Sequence, residues 1–230
     1  MEKPFTLFGA LGSGSVPVEA AMTLIGLPYR VVEAPTWEGP AQQAKLEGVN
    51  PLKQIPALVT PDGETITESA AILIWLADNH PEAGLAPGLD SPLRAQFLRW
   101  MVFVPAAIYA LFWVRDDPSR LAGPDPQAQA RIKAATAERI ADCWGMMESQ
   151  LAPPMEAGGG RYLLGDELSV LDLYVAVVSR WGPRRRRFYE VAPRMSQAVR
   201  RVDADPRLAA LWAERFPFFD GWESQGAAAT

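Results

Sequence analysis

Two short polar groups in this chain combine residue types and spacing that can grip a small charged peptide. One is Asn50-Pro51-Leu52-Lys53-Gln54-Ile55-Pro56, and the other, twelve residues beyond Pro56, is Glu68-Ser69. Pro56 has no N–H to give to a ladder, yet it opens a short apolar run over 57–60, so a backbone reason must keep it at the head of a strand. If the Ile55–Pro56 bond is cis, the chain bends there and leaves the Ile55 N–H and C=O facing outward. An extended peptide docks on such an edge by strand-like pairing. Glu68 and Ser69 stand where the next helix opens, which brings a carboxylate, a hydroxyl and free helix N–H groups together. The combination suits a small zwitterionic peptide.

The surrounding elements can hold these groups in place. Phe5–Gly9 reads as a buried strand, and Gly12-Ser13-Gly14-Ser15 as a turn. Pro17 suits the first turn of a helix carrying Ala20, Ala21, Leu24 and Ile25, which Gly26-Leu27-Pro28 stops. Tyr29–Glu33 reads as a second strand, parallel to the first because a helix intervenes. Strands over 57–60 and at Thr65-Ile66 form a hairpin across Asp62-Gly63, and an apolar helix follows over 69–78. Beyond a Pro- and Gly-rich linker the chain turns helical. Phe97, Trp100, Met101, Val104, Ile108 and Phe112 recur at helical spacing with Pro105 bending the helix, and Ile132, Ile140, Cys143, Met147 and Leu151 mark a second long helix. Ser169 and Asp172 form a capping box ahead of an apolar helix over 174–181.

The proline loop, the Glu-Ser pair, the βαβ–ββα order and the Ser-x-x-Asp box together resemble the cytosolic glutathione S-transferase family, in its bacterial, serine-type or beta/theta-like branches. The resemblance covers nearly the whole chain. It implies an α+β fold, with a thioredoxin-like glutathione-binding domain over 1–80, a linker over 81–90 and an all-helical domain over 91–230 that contributes the electrophile pocket. It further implies that Pro56 is cis, that Ile55 pairs with the cysteinyl backbone of glutathione, and that Glu68 with Ser69 holds the γ-glutamyl end. Lys53 and Gln54 stand where relatives contact the glycyl carboxylate and peptide backbone. Glutathione is the co-substrate, no metal is called for, and homodimers are the family's common state.

A thiol attacks only as thiolate, and with a pKa near ~8.5 little of it is ionised at neutral pH. Hydroxyl donors and N–H groups at a helix start lower that pKa. Ser13 and Ser15 are the hydroxyls available in the turn, Ser13 the first choice. The sequence departs from the cysteine-type relatives here, because the position of their catalytic cysteine falls on Gly14. Candidates for the electrophile pocket are Trp37, in the loop after the second strand, with Trp100, Phe103, Tyr109, Phe112, Trp113 and Arg115. Tyr109 and Arg115 are its polar members, since burying them idle is costly. Arg184 to Arg187 read as a solvated helix end or as a contact for an anionic substrate or partner, and Phe216, Phe218, Phe219 and Trp222 as a tail folding back toward the pocket mouth.

Bulk properties bound the choice. The chain has 230 residues, 49% hydrophobic and 21% charged, which is the balance of a folded globular protein. A formal net charge of -5 argues against a nucleic-acid binder. The single Cys143 excludes an internal disulfide, no signal pattern opens the chain, and no stretch approaches the ~20 apolar residues of a membrane span, so a cytoplasmic protein is expected. His80 and Cys143 have no metal-binding partners nearby in sequence. Three functions stay open: a transferase attacking an apolar, aryl-like electrophile, with reductive ether or halide cleavage among its variants; a glutathione-disulfide reductase working without a protein thiol; and a non-enzymatic glutathione-binding scaffold.

Overall fold

Residues 3–181 and 185–218 are described, from a computed structural model. The N-terminal unit runs β1 (Phe5–Gly9), α1 (Val16–Ile25), β2 (Tyr29–Glu33), α2 (Pro40–Ala44), β3 (Ala57–Val59), β4 (Thr65–Thr67) and α3 (Ser69–Asn79). Its four strands lie in the order β2-β1-β3-β4, with β1 parallel to β2 and the other pairs antiparallel. The parallel pair follows from the α1 crossover, and the hairpin from the tight turn between β3 and β4. Gly26 ends α1 in the left-handed region at φ 83°, where its N–H reaches the Met22 and Thr23 carbonyls. This is the thioredoxin-like layout expected from the sequence.

The remainder is helical: α4 (Arg94–Phe103), a π-helical segment (Val104–Tyr109), α5 (Ala110–Asp116), α6 (Ser119–Ala122), α7 (Pro126–Gly158), α8 (Val170–Val178), α9 (Arg186–Val191), α10 (Pro193–Asp203) and α11 (Ala209–Arg215). Pro105, expected to bend its helix, sits in the segment widened to π geometry; it has no N–H to give, and the Ala107 carbonyl there accepts from Cys143 Sγ at 3.6 Å. Arg94–Asp116 form one helical run of 23 residues with a window of mean hydropathy 1.7, long and apolar enough by length and composition to cross a membrane. This corrects the expectation that no such stretch exists: Arg99 interrupts the run by eye, yet the apolar residues around it keep the mean high. In this fold the run buries Phe97, Trp100, Met101, Val104, Ile108 and Phe112 in the core.

Helix α8 is the axis of the molecule. All nine of its residues are buried, and α1, α3, α4 and α10 pack around it. Its start is fixed by the expected box: Asp172 Oδ2 accepts from the Ser169 N–H at 2.9 Å and from Ser169 Oγ at 2.7 Å. Asp172 Oδ1 also accepts from the Leu163 N–H at 2.8 Å, so one carboxylate ties the preceding loop to the helix. Burial pushes that carboxyl up to about 6, against the pull of these hydrogen bonds. The segment joining the two units is also tied to α8, because Val170 N–H donates to the Leu85 carbonyl at 2.8 Å.

The arginine run differs from expectation. Arg184 lies outside the described residues, and Arg185 is fully buried and paired with Asp203. Arg186 and Arg187 open α9 rather than closing a helix, so the helix dipole gives them nothing; Glu190 answers both, at 3.5 and 2.9 Å. A solvated cationic helix end is therefore replaced by one internal ion pair and a small surface network.

Candidate functional site

The turn before α1 is built around two inward-facing serines. Ser13 Oγ accepts from the Ala10 and Ser15 N–H groups at 3.3 and 3.2 Å and lies 3.0 Å from Ser15 Oγ. Ser15 is fully buried and donates to Glu19 Oε1 at 2.9 Å. Glu19, itself without exposure on α1, is held by Arg215 of α11, whose Nε reaches Oε2 at 2.5 Å; Arg215 also meets Glu33 of β2 at 2.5 Å. Burial pushes the Glu19 carboxyl up, opposed by Arg215 and Ser15. Gly12 adopts φ +65°, which favours glycine, and the helical unit clasps it from both sides. Its N–H donates to the Arg215 carbonyl at 2.9 Å, and its carbonyl accepts from Trp181 Nε1 at 2.7 Å.

The peptide-gripping edge is shaped as the sequence suggests. The Ile55–Pro56 bond is cis, and among the described residues neither the Ile55 N–H nor its C=O has a hydrogen-bond partner. Buried Asn50 organises the loop that leads there: its side chain donates to the Gln54 carbonyl at 2.8 Å and accepts from the Leu52 N–H at 3.0 Å. Gln54 and Lys53 are exposed, and Lys53 Nζ lies 3.9 Å from Glu47. Glu68 is exposed at the start of α3 with φ 66°, a conformation that non-glycine residues hold only when their surroundings impose it. Ser69 is buried, and its hydroxyl shares a 2.8 Å hydrogen bond with Tyr174 Oη of α8.

From the helical side, Tyr109 closes over the turn. Its ring meets Trp181 edge-on at 4.5 Å and Tyr174 at 6.5 Å. A Cβ placed on Gly14 would lie 2.4 Å from Tyr109 Oη. Burial, with the Glu68 carboxylate adding to it, pushes the phenol up to about 12. Phe112 meets Trp181 at 5.5 Å, and Phe112, Arg115 and Trp181 also line a cavity of about 350 Å³ with Trp144 and Phe188.

The other expected pocket members divide. Trp100 is fully buried and belongs to the core, edge-on to Phe103 at 5.4 Å; helical spacing marks a buried face but does not say whether it lines a cavity. Phe103 is half-buried against that core. Trp113 is exposed with Arg120 over its ring at 4.7 Å, and Trp37 is exposed in a short turn at Thr36–Glu38. The tail folds back as far as it is described: Phe216 lies against Gly12, and Arg180 stacks on Phe216 and Phe218 at 3.6 and 4.1 Å. Phe219 and Trp222 lie outside the described residues. Sequence reasoning missed Trp181, Tyr174, Glu19 and Arg215. Two of these carried a signal: a phenol in a largely apolar helix and a lone acid beside Ala20 and Ala21 both demand partners. Among the described residues no cluster of acidic, His or Cys side chains is arranged to hold a metal.

A thioredoxin-like unit whose cis-proline edge and Glu-Ser helix start face an all-helical unit defines a glutathione S-transferase fold, and the chain belongs to that family. Residues 15–79 match the model described as glutathione S-transferase, N-terminal domain, and residues 119–215 the model of its C-terminal domain. The chain is similar to the uncharacterised GST-like protein YncG of Escherichia coli K12, 32% identical over 88% of this chain and 94% of that protein. Among solved structures, a glutathione transferase homologue from Sulfitobacter with bound glutathione superposes with a TM-score of 0.78 at 27% identity, over 93% of this chain and 99% of that one. A sphingomonad glutathione S-transferase complexed with glutathione superposes with a TM-score of 0.71 at 27% identity, over 92% of this chain and all of that one (100%).

Proposed function

We propose that this protein is a glutathione transferase. Glutathione lies along the Ile55 edge with its γ-glutamyl end at Glu68 and Ser69, and its sulfur reaches the 12–15 turn. There the thiol is held as thiolate and attacks an apolar, aromatic electrophile seated against Tyr109, Phe112 and Trp181. The observation that carries this reading is the pair of unengaged Ile55 main-chain groups beside the Glu68-Ser69 helix start. An N–H and a C=O on one residue match the C=O and N–H of a cysteinyl residue docked as an added strand. Lys53 and Gln54, exposed on the same loop, meet the glycyl end, and glutathione serves as co-substrate. Placing sulfur against the electrophile supplies much of the acceleration, since orientation turns a bimolecular encounter into a local one. We extend the reading to a homodimer: Leu98 and Val102 leave α4 exposed on its apolar side, and light scattering at twice the chain mass is the expected result.

Titration calorimetry with reduced glutathione tests the reading, with aryl halides as the first electrophiles to assay. Ser69→Ala removes one hydrogen-bonding hydroxyl from the γ-glutamyl site and is expected to weaken glutathione binding about tenfold. No heat of binding by the unaltered chain at millimolar glutathione would sink the proposal.

A further inference from the structure

By its resemblance to the cysteine-type members of the family, the sequence carries Gly14 at the position of their catalytic cysteine. Its glycine is not required by the backbone, because Gly14 is absent from the positive-φ residues that include Gly12. It is required by space. A Cβ there would stand 2.4 Å from Tyr109 Oη and 3.1 Å from both Cε1 and Cζ, so any side chain would collide with the phenol. The Tyr109 hydroxyl therefore occupies the place that a position-14 side chain would fill.

The two serines of the turn are committed inward. Ser15 gives its proton to Glu19, and Ser13 Oγ is taken up by two main-chain N–H groups and the Ser15 hydroxyl. Tyr109 Oη, by contrast, makes no hydrogen bond among the described residues. Its ring is fixed against Trp181 and Tyr174, and it ends the π-helical segment that carries it over the turn. Its raised pKa keeps the phenol protonated through the neutral range, as a donor must be.

We propose that Tyr109, delivered from the helical unit, is the catalytic hydroxyl that donates its hydrogen bond to the glutathione sulfur. The thiol proton leaves to solvent while the phenolic proton stays on Oη. The sulfur lone pair then forms the bond to the electrophilic carbon, and the leaving group departs with its own electron pair. The inference rests on the glutathione reading above, and it places the activating group across the interface between the two units.

The test is ultraviolet titration of the thiolate of bound glutathione, with calorimetry alongside, in the unaltered chain, Tyr109→Phe, Gly14→Ala and Ser13→Ala. Tyr109→Phe keeps the ring and is expected to bind glutathione within a few-fold of the parent. Its bound-thiol pKa should rise by about one unit or more, a roughly tenfold loss of thiolate at any pH well below the parent's thiol pKa. Gly14→Ala, which displaces the phenol by sterics alone, should raise it likewise, and it serves as the second probe should Tyr109→Phe fold poorly. A bound-thiol pKa unmoved in the Tyr109 variant, or in the Gly14 variant should that one fold alone, overturns the assignment; a rise confined to Ser13→Ala would pass the role to Ser13. Failure of the glutathione reading shows differently, as absence of binding in the unaltered chain.

Discussion

Replacing Arg215 by Met is expected to lower the unfolding free energy by about 3–5 kcal/mol, seen as an earlier midpoint in urea. The methionine keeps the apolar stem but strands Glu19, whose carboxylate has no exposure and loses its only close cation among the described residues. The cost has a pH signature. In the parent, burial already raises the Glu19 pKa while Arg215 pulls it down, so removing Arg215 lets it climb further. The folded variant then binds a proton at a pH where the parent does not. Its deficit is greatest at high pH and shrinks as pH falls through the elevated Glu19 pKa. A deficit that stays constant with pH would show that Arg215 acts through packing alone. The double variant Glu19→Met, Arg215→Met should recover more than half of the loss, because no buried charge then remains.

Asp172→Ala is expected to cost ~3 kcal/mol or more, measured by the same denaturation. The carboxylate serves three donors, the Leu163 N–H, the Ser169 N–H and Ser169 Oγ, and alanine leaves all three buried without an acceptor. The damage falls at the start of α8, around which α1, α3, α4 and α10 are packed. Asp172→Asn keeps the shape and one acceptor oxygen, so it should fall between the parent and alanine. Amide exchange should accelerate at Leu163 and Ser169 in both variants, more in the alanine variant. Equal stability of Asp172→Ala and parent would reduce the box to a surface cap.

What could be read without the fold was local. Pro56 at a strand head, Glu68-Ser69 at a helix start, Gly26 at a helix end and the Ser169–Asp172 box each depend on a few adjacent residues, and each lies where the sequence suggests. The parts that escaped depend on residues far apart in the chain. Arg215 meets Glu19 across 196 positions, Trp181 meets Gly12 across 169, and Ser69 meets Tyr174 across 105. Trp100 and Tyr109 are both large aromatics of one helical run, yet one is fully buried and the other ends beside a glycine. Only the three-dimensional approach of α4 and its π-helical extension to the 12–15 turn separates them.

That widened segment, Val104–Tyr109, has an evolutionary consequence. A π segment amounts to one residue inserted into an otherwise regular helix. Wound as regular helix with its residue count unchanged, the coil would swing everything beyond by about 100° around the helix axis. Tyr109 would then point away from Gly14 without itself being altered. Homologous chains that wind a stretch of this length as regular helix are expected to carry their activating hydroxyl somewhere else, and to bear a larger residue than glycine opposite it.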